Sequence, residues 1–445
     1  MIIDWRLTIV LAMQLTKSQI ALIGVALAIT FLFTLVFTGL IPGLQKPQGG
    51  GKEQIKAELS FWGLFDSQEA FPFSLLKTKY PDVRITYRRF EDTATYEAAL
   101  LEALAVGSGP DMFAIENNAL PRHLAKIVPL SKEKLTLLAF RELFPRVVEE
   151  NFAPNGVIYA LPLSLDTLAL IYNQDLFNEN ALVAPPKTWE EFKQMVPKFT
   201  ETAEGKIVRS AAAIGRGTGI HRAPDLISLL MLQAGARMVD AGFQRAAFNS
   251  KEGLNALTFT TQFADPTTSV YTWSPDLGYS LDAFANGKVA MIFGYAADLP
   301  LVRRRNAFLD FRIAGVPQPE KASLSVTYPR YLGYTVSRQS KYANLAWDII
   351  LELAANQTNA SAYGVSTKKP PALKPLIEAS LNDPDLAIFA KQALTARSWP
   401  QADPGRTDEI LRDMLDRAAT GVLKKEDALE QAAAQITRLM SQRLF

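Results

Sequence analysis

AELSFWG at 57–63, VRITYR at 83–88, TYEAALLEALAV at 95–106 and DMFAI at 111–115 decide the fold of this chain. The first block alternates toward a buried strand, the second is short and β-branched, and the fourth is a third strand. The block at 95–106 is rich in Ala, Leu and Glu, all good helix formers, and the turn GSGP at 107–110 ends it. Residues 69–80 also show helical spacing and stop at Pro81. The order is strand, helix, strand, helix, strand. Connections of this length join parallel neighbours, so the expected class is α/β with mostly parallel sheet flanked by helices. Such sheets take ligands in the crevice beyond the carboxyl ends of their strands.

Downstream, Thr188-Trp189-Glu190-Glu191 is a capping box behind Pro185-Pro186 and opens a helix. Helical spacing recurs at 224–234, 254–263, 280–286 and 344–355, with a strand at 289–293. Three helices with charged outer faces are expected at 385–396, 407–419 and 426–439. A single sheet rarely organises the roughly 390 residues after the amino-terminal segment, so two lobes are expected.

Upstream, residues 20–41 (IALIGVALAITFLFTLVFTGLI) carry no charge, and as a helix they span roughly 33 Å, enough for a bilayer core. A signal peptide's apolar region is shorter, about 7–15 residues, and no A-x-A site follows. The expectation is a cytoplasmic n-region at 1–19, a retained transmembrane signal anchor at 20–44 and a flexible stalk at 45–56, which contains QKPQGGG. The body then lies on the extracytoplasmic side of a single-pass anchor.

Composition excludes much chemistry. The 445 residues include no cysteine and two histidines, His123 and His221. Disulfides, thiolate nucleophiles, Cys-ligated zinc and iron–sulfur clusters are ruled out. A net charge of +2 gives no basic field for nucleic acid. Gly215-Arg216-Gly217-Thr218-Gly219 is not a dinucleotide fingerprint, Gly51-Lys52-Glu53 is not a P-loop, and no G-x-S-x-G occurs. No metal, no cofactor and no catalytic residue is expected. The aromatics say more. Trp189 and Trp347 sit on apolar helix faces, whereas Trp62, Trp273 and Trp399 lie at a strand end or in loops (FWGLFD, TWSPD, SWPQAD). An aromatic face beside a carboxylate suits a sugar, whose C–H groups pack on the ring while its hydroxyls bond the acid.

Taken in order, LSFWGLFD (59–66), KYPDVRITY (79–87), ALAVGSGPDMFAI (103–115), YALPLSLDTLALIYNQDLF (159–177) and PPKTWEEF (185–192) resemble one family. So do FANGKVAMIFG (284–294), ANLAWDIILELA (343–354) and GVLKKEDALEQAAAQITRLM (421–440). It is the family of extracellular solute-binding proteins of ABC importers, and within it the maltose-binding-protein-like group. The resemblance implies the type II periplasmic-binding-protein-like fold: two α/β lobes joined by crossing segments, with the ligand between them. The implied crossings fall near 164–167, near 316–319 and near the end of 344–355. Lobe one is then 57–163 with 320–352, and lobe two 167–315 with 356–445.

The implied ligand groups are Trp62 and Asp66 after the first strand, Glu116 and Asn117 (with Asn118 beside them) after the third, and Asp166 at the first crossing. Asp111 belongs to the family's structural turn. Where the family has a tryptophan after its G-K-x-A-M strand, this chain has Tyr295-Ala296-Ala297, so Tyr295 stands in, with Trp273 as a second platform. Tyr331 and Trp399 complete the set. The resemblance implies a monomeric, non-enzymatic carrier of an oligosaccharide or related polyol that docks on ABC permease subunits. With no cysteine to acylate, residues 20–41 do the tethering. The competing readings are a surface solute sensor on the same fold and a surface carbohydrate-active enzyme.

Overall fold

The computed structural model describes residues 17–37 and 56–441, and the chain divides into two units, Met1–Lys56 and Ala57–Phe445. In the first, a helix runs over Lys17–Phe37. Its apolar part begins at Ile20, about 27 Å before Phe37, short of a bilayer's hydrocarbon core of about 30 Å. Among the described residues no helix is long and apolar enough to cross a membrane. The remainder of the expected span, together with 1–16 and 45–55, lies outside them.

The second unit is built on two five-stranded sheets and a short ribbon. The strands are β1 Ala57–Leu64, β2 Val83–Phe90, β3 Met112–Glu116, β4 Leu161–Pro162, β5 Asp166–Thr167 and β6 Ala169–Asn173. After them come β7 Glu201–Ala203, β8 Lys206–Ala212, β9 Val289–Gly294, β10 Phe311–Ala314, β11 Pro329–Arg330 and β12 Leu332–Val336. The first sheet has the order β2-β1-β3-β12-β4, the second β10-β6-β9-β8-β7, and β5 pairs with β11.

The expectation of mostly parallel sheets is corrected to mixed ones. β2, β1 and β3 are parallel, but β12 runs antiparallel to both β3 and β4. In the second sheet only β8 and β9 are parallel. Chain returning from the other sheet enters in the reverse direction, and β7–β8 is a hairpin. Its turn residues Glu204 and Gly205 both have positive φ, the conformation a two-residue hairpin requires.

Local sequence explains most elements. The helix Thr93–Ala105 is capped by Asp92, whose side chain accepts from Thr95 N, and it buries Tyr96, Leu100 and Leu104 at helical spacing. Asp111 fixes the start of β3, accepting from Ser60 N (2.8 Å), Ser60 Oγ (2.9 Å) and Ser340 Oγ (2.6 Å). The helix expected over 69–80 is reduced to a 3-10 turn at Gln68–Ala70 and a single turn at Phe73–Leu76. Pro72 separates them, since it has no N–H to give and turns its predecessor away from helix.

The cores show where the chain changes lobes. Leu165 packs in the first core and Leu168 in the second, so β5 is the first crossing. The second lies later than expected: Val316 and Tyr328 pack in the second core and Tyr331 in the first, so the passage is at β11, not 316–319. The third is later too. Ala360, Tyr363 and Ile377, expected in lobe two, pack in the first core, and the chain settles in the second only at Trp399. Both early crossings are therefore strands of one antiparallel ribbon, with Pro329 opposite Thr167 and Arg330 opposite Asp166.

Candidate functional site

β3 ends at Glu116, and Asn117 and Asn118 follow it. Here a cavity of about 470 Å³ opens between the two halves of the second unit. The first half contributes Thr93 and Glu97 from the helix Thr93–Ala105, then Glu116, Asn117, Asn118 and Arg122. The second contributes Asp225 and the start of the helix Pro404–Ala419, including Arg406, Asp408 and Glu409; Tyr328 and Arg330 come from the connecting strand. The place is the crevice beyond a strand's carboxyl end, where α/β sheets bind ligands.

Ion pairs and hydrogen bonds organise the wall. Arg330 donates from Nη2 to Glu116 Oε1 (3.0 Å), and its Nη1 lies 3.6 Å from Asp225 Oδ2. One guanidinium thus faces a carboxylate from each half. Arg122 Nη1 pairs with Asp403 Oδ2 at 2.6 Å. Beside it Asn118 donates to Gln401 Oε1 (2.9 Å), and Gln401 N donates to the Asn118 carbonyl (2.8 Å). Burial pushes the Asp408 carboxyl up to about 7, with Asp225 and Glu116 adding to the rise and Arg330 and Arg412 opposing it. Carboxylates that accept and guanidinium groups that donate, facing a cavity of this size, suit a small solute rich in polar groups.

A second charged group braces the neighbouring wall. Arg222, at the N-cap of the helix Ala223–Gln233 with φ 58°, grips Asp298 through Nε–Oδ2 (3.0 Å) and Nη2–Oδ1 (2.7 Å). His221 Nε2 lies 3.1 Å from Oδ1, and Tyr295 N donates to Oδ2 (2.9 Å). Burial works against the Asp298 charge, yet Arg222 and His221 hold its carboxyl well below the usual carboxylate range.

Of the nine residues singled out in the sequence, Glu116 and Asn117 line the cavity, as does Asn118. The other seven do not. Trp62 is half-buried against Phe90, ring centroids 5.3 Å apart, with the Arg88 guanidinium over its face at 4.6 Å. Asp66 is taken by Tyr363 Oη (2.7 Å) and by Lys369 Nζ. Asp166 accepts three backbone N–H groups, from Thr167 (2.9 Å), Ala296 (3.1 Å) and Ala297 (3.0 Å). Trp273, Tyr295, Tyr331 and Trp399 are each 5% exposed or less. Tyr331 Oη donates to Asn151 Oδ1 (2.7 Å) and Trp399 Nε1 to Ser228 Oγ (3.4 Å). The residues that sequence reasoning missed are Asp225, Arg330 and Asp408. Asp225 carried a signal: it is the one charge in the mostly apolar run APDLISLLML at 223–232.

The pattern of the bacterial extracellular solute-binding proteins matches residues 75–387. The chain belongs to this family. As a solute-binding protein it is extracytoplasmic and not an enzyme. It is 22% identical over 386 residues to a maltotriose-binding protein of Pyrococcus abyssi, covering 82% of this chain and 80% of the relative. A galactooligosaccharide-binding protein of Bacillus subtilis is 25% identical over 342 residues, covering 74% and 76%. Among solved structures, a cyclo/maltodextrin-binding protein complexed with maltotetraose superposes with a TM-score of 0.69 at 19% identity, over 89% of this chain and 99% of the other. A sugar-binding protein from Xanthomonas citri gives 0.70 at 17%, over 87% and 98%.

Proposed function

We propose that this solute-binding protein is the substrate-binding component of an ABC importer, taking a carbohydrate in the cleft between its lobes and delivering it to the permease. The observation that carries the reading is the cavity of about 470 Å³ beyond β3, walled by residues of both halves and by the ribbon that joins them. A ligand held there touches both lobes and favours their approach, the differential contact that domain closure requires. The sugar assignment is supported by the relatives' ligands and by the polar wall. The aromatic platforms expected from the sequence do not support it. Calorimetric titration of the Ala57–Phe445 unit against a panel of oligosaccharides, polyols, peptides and phosphate esters tests this. Micromolar or tighter binding of one class is expected, and binding only of peptides or phosphate esters refutes it.

The uncharged run at 20–41, continued by the glycine-rich residues 49–51, supports a tether that keeps the body near the permease at high effective concentration. Full-length protein should stay with membranes through an alkaline carbonate wash, while a form beginning at Ala57 should be released. Full-length protein in the wash supernatant refutes the tether.

A further inference from the structure

Charge in the cleft is unbalanced. Six carboxylates line the cavity against three guanidinium groups. Each guanidinium already has an acid: Arg122 pairs with Asp403, Arg406 with Glu409, and Arg330 with Glu116. Two acids on the second half's wall are left over. Asp225 is only 7% exposed, yet its Oδ2 makes no hydrogen bond, and the nearest guanidinium nitrogen is the shared Arg330 at 3.6 Å. The Asp408 side chain forms no hydrogen bond or ion pair with any described residue. A buried carboxylate without a full partner is costly, and the cost falls when a cation fills the space beside it.

We propose that the solute carries a protonated amino group, an aminosugar being the class that fits, and that this group sits between Asp225 and Asp408. This rests on the reading of the cavity as the solute site. A neutral sugar can donate hydroxyls to both acids but leaves their charge in place. An ammonium group has three donors and cancels one charge. The groups facing Asp408 are Asp225 on the helix Ala223–Gln233, Glu116 on β3, Tyr328 just before β11, Arg330 on β11, and Arg412 on its own helix. With its carboxyl pushed up to about 7 by burial and these acids, Asp408 holds a proton part of the time at neutral pH. Arrival of a cation expels that proton.

The experiment is titration calorimetry on the full chain in detergent with four probes: the free-amine trimer of glucosamine, its fully N-acetylated counterpart, maltotriose and spermidine. At pH 6.5 the amine trimer should bind at least about tenfold more tightly than either neutral trimer. Runs in buffers of different ionisation enthalpy should show net proton release. Asp225→Asn should bring the three trimers within about threefold of one another. Asp408→Asn should do the same and abolish the proton release, and it carries the test if Asp225→Asn does not fold. Equal or tighter binding of the neutral trimers overturns the inference and upholds the cleft as a sugar site. Binding of spermidine alone upholds cation recognition and overturns the sugar reading. Binding of none of the four overturns the inference.

Discussion

The Arg222–Asp298 pair allows a quantitative test of how the wall beside the cleft is held. Asp298 is 1% exposed and receives both arms of the Arg222 fork and the Tyr295 N–H. Removing one member of a buried pair leaves the other charge without compensation, a loss of about 3–5 kcal/mol. Arg222→Met should therefore lower stability by about that much. Asp298→Leu should lose at least as much, because it also strips the acceptor from Tyr295 N. In the double variant neither Arg222 nor Asp298 is left as an unpaired charge, and the residual loss is that of the acceptor for the buried Tyr295 N–H and for His221 Nε2, about 1–3 kcal/mol. The double variant should thus be more stable than either single one, with a coupling energy of several kcal/mol. Guanidinium unfolding followed by tryptophan fluorescence measures all four proteins. pH supplies an independent arm. The folded-state carboxyl lies below its ordinary value of 3.8, so the stability it contributes is present above about pH 4 and lost as pH falls below it. The gap between wild type and double variant should shift against the wild type between pH 4 and pH 2. Additive single losses, or a loss below about 1 kcal/mol for Arg222→Met, would refute this reasoning.

Other expectations follow from single contacts. Asp166→Ala removes the acceptor for three backbone N–H groups, two of them on the buried residues Thr167 and Ala296; a loss of about 2–5 kcal/mol is expected in a denaturant melt. Gly217→Ala places a methyl group 2.2 Å from the Arg412 carbonyl oxygen, so the loop must leave the helix Pro404–Ala419. Its melting temperature should fall by several degrees, corresponding to about 1–3 kcal/mol. Arg122→Ala with Gln401→Ala deletes contacts across the cleft mouth. Small-angle scattering should show a larger radius of gyration without ligand, and a saturating ligand should reverse it.

The parts of the fold set by local pattern were readable in the residues: β1, β2, β3 and the helix between the last two follow alternation, β-branching and capping. Strand direction was not. β9 and most of β12 are buried on both faces, and an apolar run reads the same whichever way it points. The third crossing was misplaced because the short helices Gln357–Thr367 and Lys374–Ala379 carry no local sign of the lobe they join, and only long-range packing assigns them to the first. At the site, Pro- and Gly-flanked aromatics such as Trp273 and Trp399 looked like platforms. In three dimensions the flanking turns fold these rings into the core. Glu116 and Asn117 line the cavity because their place, at and just beyond the end of a strand readable in the sequence, is geometric. Arg330 and Asp408 come from distant parts of the chain, and nothing local tells that they face one cavity.

Arg330 stands on the ribbon between the sheets, with Glu116 of one half and Asp225 of the other in reach of the same guanidinium. Any rotation that parts the halves must decide which acid keeps it. The acids are less than a tenth exposed, so dissolved counterions screen this choice weakly. Arg122 and Asp403 at the mouth, 22% and 30% exposed, form a pair more open to screening. Ionic strength should therefore loosen the rim of the cleft and leave its root almost untouched, so that salt tunes how wide the mouth stands rather than which way the hinge is set.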